Sequence, residues 1–208
     1  NVALPLMLSN ECRRRGVPFA HISSGCIYDG YSKEFTEEDE PTLSLNNGSF
    51  YSGSKALGEH VVRDNTLAWI FRLRMPFNGS PSPRNYLTKL LTYPRLLNAV
   101  NSLTHTGDFV RYALELMEKA PYGIYNVTNP EGITAKEVLD QWGLDREFHY
   151  YESYEQFAET IATPRSNCVL DTSKMERYIE CRTSKEAIAS SIKEYPCDKA
   201  LDIPINER

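Results

Sequence analysis

Arg13-Arg14-Arg15-Gly16 is followed without a break by Val17-Pro-Phe-Ala-His-Ile22. Cations in a last helical turn with glycine just beyond them end a helix. The short apolar run after them reads as a buried strand. A helix joined to a strand through one glycine is half of a βαβ unit. The pattern then repeats: Phe50 to Asp64 has a helical period with Leu57, Val61 and Val62 inward, and Ala68 to Met75 alternates with Trp69, Phe71, Leu73 and Met75 on one face. Helices alternating with strands imply an α/β fold with a parallel sheet. Ligands of such sheets sit outside the carboxyl ends of the strands. The proline-rich loop from Met75 to Arg84 occupies one such end. Pro5 fits the first helix only near its first turn or at a kink.

Downstream, Asp108 is placed to cap a helix whose inward side holds Phe109, Ala113, Leu116 and Met117. Gly123 to Val127 reads as a strand, with a turn at Asn129 to Gly132. Thr134-Ala-Lys-Glu137, Ser153-Tyr-Glu-Gln156 and Thr183-Ser-Lys-Glu186 each have the spacing of a capping box. Phe148 to Tyr151 suits an edge strand. The chain from about Tyr195 reads as a loose tail. Asp29 to Ser49 is polar, acidic and turn-rich, hence a loop.

Composition bounds the function. With 41% hydrophobic and 25% charged residues over 208 positions, the chain can bury a core. A net charge of −5 leaves no electrostatic footprint for nucleic acid. No apolar run approaches a membrane span. The five cysteines are scattered, without a CxxC pair, which suits reduced thiols and a cytoplasmic location. The sequons at Asn47, Asn78 and Asn126 carry no weight without secretion. The four histidines have no metal-ligand spacing, so no metal is expected.

Tyr51-Ser-Gly-Ser-Lys55 carries the chemistry. Four residues apart on a helix, the phenol and the ammonium face the same way. The cation is expected to lower the tyrosine pKa, making it a proton donor near neutral pH. A serine hydroxyl at the end of the preceding strand, Ser23 or Ser24, would hold the same substrate oxygen. Such a trio protonates a carbonyl while a cofactor delivers hydride. The plain alternatives are an exposed Tyr beside a solvated Lys, and turn hydroxyls.

The order strand, Ser-Ser, acidic loop, Tyr-x-x-x-Lys helix, strand resembles the extended short-chain dehydrogenase/reductase superfamily. Ser24-Gly-Cys-Ile-Tyr28, Arg72-Leu-Arg-Met-Pro76, Ser82-Pro-Arg-Asn85 to Lys89, Asn101-Ser-Leu-Thr104, Tyr125 to Pro130, Pro164-Arg-Ser-Asn167 and Asp171-Thr-Ser-Lys174 narrow it. They resemble the plant-type bifunctional nucleotide-rhamnose synthases, which are 3,5-epimerases and 4-keto reductases, over Val2 to about Pro196. The resemblance implies the carboxyl-terminal part of a Rossmann-type domain with a smaller α+β substrate-binding domain. Residues 1–76, with about 99–120 returning, would form the first and 77–208 mainly the second.

It also implies roles. Ser24, four before Tyr28, is the active hydroxyl. Tyr51 is the acid/base, and Lys55 binds the nicotinamide ribose. Cys26, two residues after Ser24 and on the same side of an extended backbone, pairs with Lys89 to move protons at C3 and C5. Cys26 is the expected base and Lys89 the acid, with the direction open. Arg84, Asn85 and Arg165 would bind substrate hydroxyls or diphosphate, and Asn1 would support a water relay. For these residues the plain alternatives are a small core thiol, a surface lysine, loop capping and an inter-element ion pair.

The implied cofactor is NADPH rather than NADH, and the implied substrate is a UDP- or dTDP-4-keto-6-deoxy sugar, with room for a homodimer. Other readings are a dTDP-4-keto-rhamnose reductase, a GDP-fucose-synthase-like enzyme, or a non-catalytic reductase-like regulatory subunit. The family's glycine-rich diphosphate turn has no counterpart in these residues, and Leu4-Pro5 stands where relatives carry Gly-Thr. At about 30 residues per βαβ unit, roughly 80 to 90 residues of the family pattern would lie upstream. On that expectation the 208 residues alone neither bind NADPH appreciably nor turn over.

Overall fold

The computed structural model describes residues 1–196. Helix α1 (Ala3–Arg15) leads into strand β1 (Phe19–Ser24), and helix α2 (Phe50–Arg63) into strand β2 (Ala68–Leu73). Strand β3 (Pro76–Phe77), helix α3 (Tyr86–Thr92), strand β4 (Thr104–His105), helix α4 (Thr106–Lys119) and strand β5 (Gly123–Asn126) follow. Helices α5 (Ala135–Trp142), α6 (Tyr154–Glu159), α7 (Ser173–Glu176) and α8 (Ser184–Glu194) complete the chain. A parallel sheet runs in the order β1-β2-β5, with Ser23 opposite Arg72 and Ser24 opposite Leu73. β3 and β4 make a second, two-stranded parallel sheet.

The helix stop at Gly16 forms as expected. Gly16 takes φ +67°, its N–H donates to the Arg13 carbonyl, and the Val17 N–H donates to the Cys12 carbonyl. That is the Schellman closure, and only glycine enters it without cost. Pro5 is the third residue of α1, where its missing N–H has no intrahelical partner to lose.

Strand β2 is buried on both faces because it is central. Trp69 and Phe71 pack with Tyr125 and with Phe109, Tyr112 and Leu116 of α4. Ala68 and Ile70 pack with Val62 under α2. A separate apolar core gathers Phe77, Leu87, Leu103, Ile133, Val138 and Ile188.

Several expectations need correction. β5 pairs with β2, so residues 123–126 join the parallel sheet, beyond the expected return at about 99–120. Helix α4 starts earlier than Asp108: His105 is its cap, its Nδ1 accepting the Asp108 N–H at 3.1 Å. Thr134 and Thr183 form full capping boxes, but Ser153 does not, because Gln156 Oε1 takes the Glu152 N–H instead. Phe148 to Tyr151 contributes only a single bridge, Leu96 to Tyr150. Tyr195 is no loose tail. It is buried in the second core, its ring edge-on to Trp142 and its hydroxyl bonded to Thr88. Cys197 lies outside the described residues. Among the described residues no helix is long and apolar enough to cross a membrane.

Asp108 itself ties two parts of the chain together. Its Oδ2 accepts Arg182 Nε at 2.6 Å and Asn129 Nδ2 at 2.8 Å. Burial raises the carboxyl, but contacts with His105, Arg182 and Asn129 outweigh it and hold the pKa at about 2. A depressed carboxyl stabilises the fold above its ordinary 3.8 and loses that contribution as pH falls toward 2. Asp108→Asn is expected to lower stability at neutral pH by roughly 2 kcal/mol and to leave a flatter acid limb between about pH 4 and 2. Urea melts across pH read both, and an unchanged acid limb would remove Asp108 as its source.

Candidate active site

The site is built at the carboxyl end of β1. Alternation along the strand separates the two serines. Ser23 shares a face with Arg72 and donates to Glu59 Oε2 at 2.6 Å, so its hydroxyl is taken up inside the fold. Ser24 points the other way. Its Oγ accepts the Cys26 N–H at 3.1 Å and faces the Tyr51 phenol, whose ionised form it favours.

The chain leaves β1 in a tight 3₁₀ turn, Gly25–Ile27. Cys26 is therefore not on extended backbone, and the same-side argument from strand pleating fails. The turn, closed by Ser24 Oγ, sets the position of the half-buried thiol instead. Arg74 Nη1 donates to Cys26 Sγ at 3.6 Å.

Tyr51 and Lys55 lie in the first turns of α2. Ser49 Oγ caps the helix by accepting the Ser52 N–H at 3.0 Å. Gly53 lets the preceding loop lie directly on the helix, since a Cβ there would sit 2.4 Å from the Leu45 nitrogen. Tyr51 is 51% exposed and Lys55 half-buried. Lys55 Nζ donates to the Ile22 carbonyl at 2.6 Å.

The expected lowering of the Tyr51 pKa by Lys55 is not found. Burial raises the phenol, the Ser24 hydroxyl lowers it, and Cys26 raises it. The net direction is up, which keeps the phenol protonated at neutral pH, as a proton donor requires. Lys55 moves down, chiefly through burial, against the opposing pull of Glu59 and Cys26.

Lys89 projects from α3, half-buried. Burial lowers its amine, the Arg165 cation lowers it further, and Cys26 raises it, so the three residues share one electrostatic neighbourhood. Arg84 is exposed in the loop leading to α3, and Arg165 is exposed in the segment that precedes Ser166.

Asn85 does not join the site. Its Oδ1 caps α3 by accepting the Leu87 N–H, and its Nδ2 donates to the Asn78 carbonyl, Asn78 Oδ1 and the Ser80 carbonyl. A buried side chain with every polar group committed has nothing left for a ligand. Asn1 Nδ2 donates to Ser54 Oγ at 2.9 Å, beside Lys55.

Two arginines that sequence reasoning quoted without a role support the site from below. Arg72, fully buried, pairs with Glu59 and lies 5.2 Å from the Tyr28 ring centroid. Arg74 reaches Asn101, Ser166 and Cys26. The spacing of the motifs gives no hint of either contact, because every partner is distant in sequence.

A family model described as RmlD substrate binding domain matches residues 1–197. A bifunctional dTDP-4-dehydrorhamnose 3,5-epimerase/dTDP-4-dehydrorhamnose reductase of Arabidopsis thaliana is 32% identical over 200 residues, which cover 90% of this chain and 65% of that protein. A trifunctional UDP-glucose 4,6-dehydratase/UDP-4-keto-6-deoxy-D-glucose 3,5-epimerase/UDP-4-keto-L-rhamnose-reductase of the same plant is also 32% identical over 200 residues, 29% of its length. The chain thus spans less than two thirds of either relative. Among solved structures, a UDP-rhamnose synthase from Acanthamoeba polyphaga mimivirus superposes with a TM-score of 0.85 at 25% identity, covering 93% of this chain and 70% of that one. A dTDP-4-dehydrorhamnose reductase from Bacillus anthracis, solved with NADP, superposes with a TM-score of 0.75 over 93% of this chain and 70% of that one. At 15% identity that likeness shows the shared α/β fold.

Proposed function

The chain belongs to the RmlD substrate-binding-domain family, and on that footing we propose that it supplies the proton-transfer groups of a nucleotide-sugar 3,5-epimerase and 4-keto reductase, converting UDP-4-keto-6-deoxy-glucose to UDP-L-rhamnose with NADPH. One observation carries the reading. Ser24 closes the turn that presents Cys26 and faces the Tyr51 phenol, and Lys55 and Lys89 lie within electrostatic reach of the sulfur.

The ketone at C4 acidifies the protons at C3 and C5. Cys26, as thiolate, takes one of them, and the electron pair moves onto the C4 oxygen. Ser24 and Tyr51 donate hydrogen bonds to that oxygen and stabilise the enolate. Lys89, as ammonium, returns a proton to the carbon from the opposite ring face, inverting the centre. The thiol and amine regain their starting states by exchange with solvent. A lowered amine suits this role, because its ammonium is a stronger acid than that of a free lysine.

Tyr51 and Lys55, partly exposed on one helix face, form a donor set that fits ribose hydroxyls beside a keto oxygen. A reduced nicotinamide held by these two residues would supply the hydride for C4. Tyr51 gives its phenolic proton to the C4 oxygen, and Lys55 orients the ribose. Arg84 and Arg165 reach for the diphosphate as planar, bidentate donors.

Proton exchange needs neither hydride nor cofactor, so the epimerase half is tested in this chain although the overall turnover is not expected from these 208 residues alone. With UDP-4-keto-6-deoxy-glucose in deuterium oxide, proton NMR is expected to show loss of the C3 and C5 signals. Retention of both protons would overturn the epimerase reading and leave a plain reductase.

A further inference from the structure

We propose that Arg74 is a positioning residue for Cys26, a buried guanidinium that holds the sulfur in place and pairs with it as a thiolate. The proposal rests on the reading above for the thiol's role, and it names the group that makes Cys26 the base rather than the acid.

Arg74 is 1% exposed. Its Nε and Nη2 both donate to Asn101 Oδ1, Nη1 donates to Ser166 Oγ at 2.8 Å, and Nη2 donates to the Ser166 carbonyl at 2.6 Å. All of these acceptors are neutral. Among the described residues no carboxylate lies within 4.0 Å of it. Arg72, two positions earlier, is neutralised by Glu59. Burying a cation without a counter-charge is costly. Among the described residues the one ionisable group bonded to Arg74 is Cys26, whose Sγ accepts from Nη1. A thiolate there completes the pair, and a neighbouring guanidinium favours the thiolate.

The geometry is rigid on both sides. Asn101 Nδ2 donates to Asn167 Oδ1 at 3.1 Å, and the Cys168 N–H donates to Asn101 Oδ1 at 3.1 Å. Ser166 Oγ donates to the Tyr28 carbonyl. The chain turns sharply just after Arg74, with Met75 at φ +41°, a region side chains rarely enter. Other charged or titratable groups face the sulfur: Tyr51 and Lys55 from α2, Lys89 from α3, and Cys168 from the segment beside Asn101. The two lysines are partly solvated and hence screened by salt, whereas Arg74 is not.

The test is the rate of iodoacetamide alkylation of Cys26 at neutral pH in the whole chain, read on the Cys26 peptide by mass spectrometry. In the unmodified chain the rate is expected to hold within about twofold from about 0.01 M to about 1 M salt. A rate that falls about tenfold with salt would assign the thiol's reactivity to the lysines and overturn the proposal. Asn101→Asp keeps the guanidinium and its acceptor but supplies a counter-charge. Arg74→Gln removes the charge. Each is expected to slow alkylation about tenfold, while Arg74→Lys keeps the rate near the original. An unchanged rate in folded Asn101→Asp overturns the proposal. The epimerase reading fails separately, through absent deuterium exchange, whatever the alkylation profile shows.

Discussion

Cys26→Ala is expected to slow deuterium entry at C3 and C5 by about 10³-fold, within the range that a single acid or base contributes. Cys26 is half-buried, its backbone N–H rather than its sulfur closes the turn with Ser24, and it belongs to none of the four apolar clusters. The substitution does remove the sulfur that accepts from Arg74, so a urea melt of the variant separates lost chemistry from lost stability. Lys89→Ala gives a different signature. A thiolate that removes a proton and returns a deuteron to the same face exchanges the position without inverting it, so label enters while the sugar keeps its configuration. Tyr51→Phe removes one of two donors to the C4 oxygen and should cost about 10²–10³ in exchange, with the reduction step lost as well. NMR of the recovered sugar separates the three outcomes. Exchange at the original rate in Cys26→Ala would sink the assignment of the base.

The local features were legible because they depend on neighbours in sequence. The Gly16 stop, the two capping boxes and the one-helix-face spacing of Tyr51 and Lys55 are set by intervals of three or four residues. The choice of Ser24 over Ser23 followed from family spacing. The structure adds the reason, since strand alternation turns Ser23 toward Glu59. What stayed hidden is long-range. Arg72 to Pro76, Asn101 to Thr104 and Pro164 to Asn167 are three separate stretches of the chain. They meet in a single buried cluster, Arg74–Asn101–Ser166, under Cys26. Pairwise spacing carries no trace of such a meeting. Asn85 misled for the opposite reason: an Asn before a helix satisfies its polar groups locally, and the cap uses up the side chain that family analogy assigned to substrate. Asp108 misled because His105, an unusual cap, stood three residues earlier with a ring nitrogen able to accept the same kind of bond.

Glu59→Gln is expected to destabilise the fold by about 3–5 kcal/mol, the cost of leaving one member of a buried ion pair uncompensated. Glu59 is 1% exposed and Arg72 0%. Arg72 Nη2 donates to Glu59 Oε1 at 2.5 Å, Nε spans both oxygens at 3.2 and 3.1 Å, and Ser23 Oγ donates to Oε2. Arg63 adds a longer contact at 3.6 Å. Burial raises the Glu59 carboxyl, but its bonds to Arg72 and Ser23 and the charges of Arg72 and Arg63 outweigh it, so the net direction is down. The sign follows: the pair stabilises the fold above the ordinary glutamate value of 4.5 and releases that stability as pH falls below it. Urea denaturation at neutral pH reads the loss. A cost below about 1 kcal/mol, the worth of a solvated pair, would show that water reaches the charges. Replacing both partners by apolar residues, as in Glu59→Leu with Arg72→Met, should recover most of the stability, since no orphaned charge remains. It should not recover the site. Ser23 adjoins Ser24, and Glu59 follows Lys55 by one helical turn, so the ion pair clamps the strand that carries the hydroxyl to the helix that carries the phenol and the ammonium. A double variant that is stable yet slow in exchange would separate that clamping from the pair's contribution to folding.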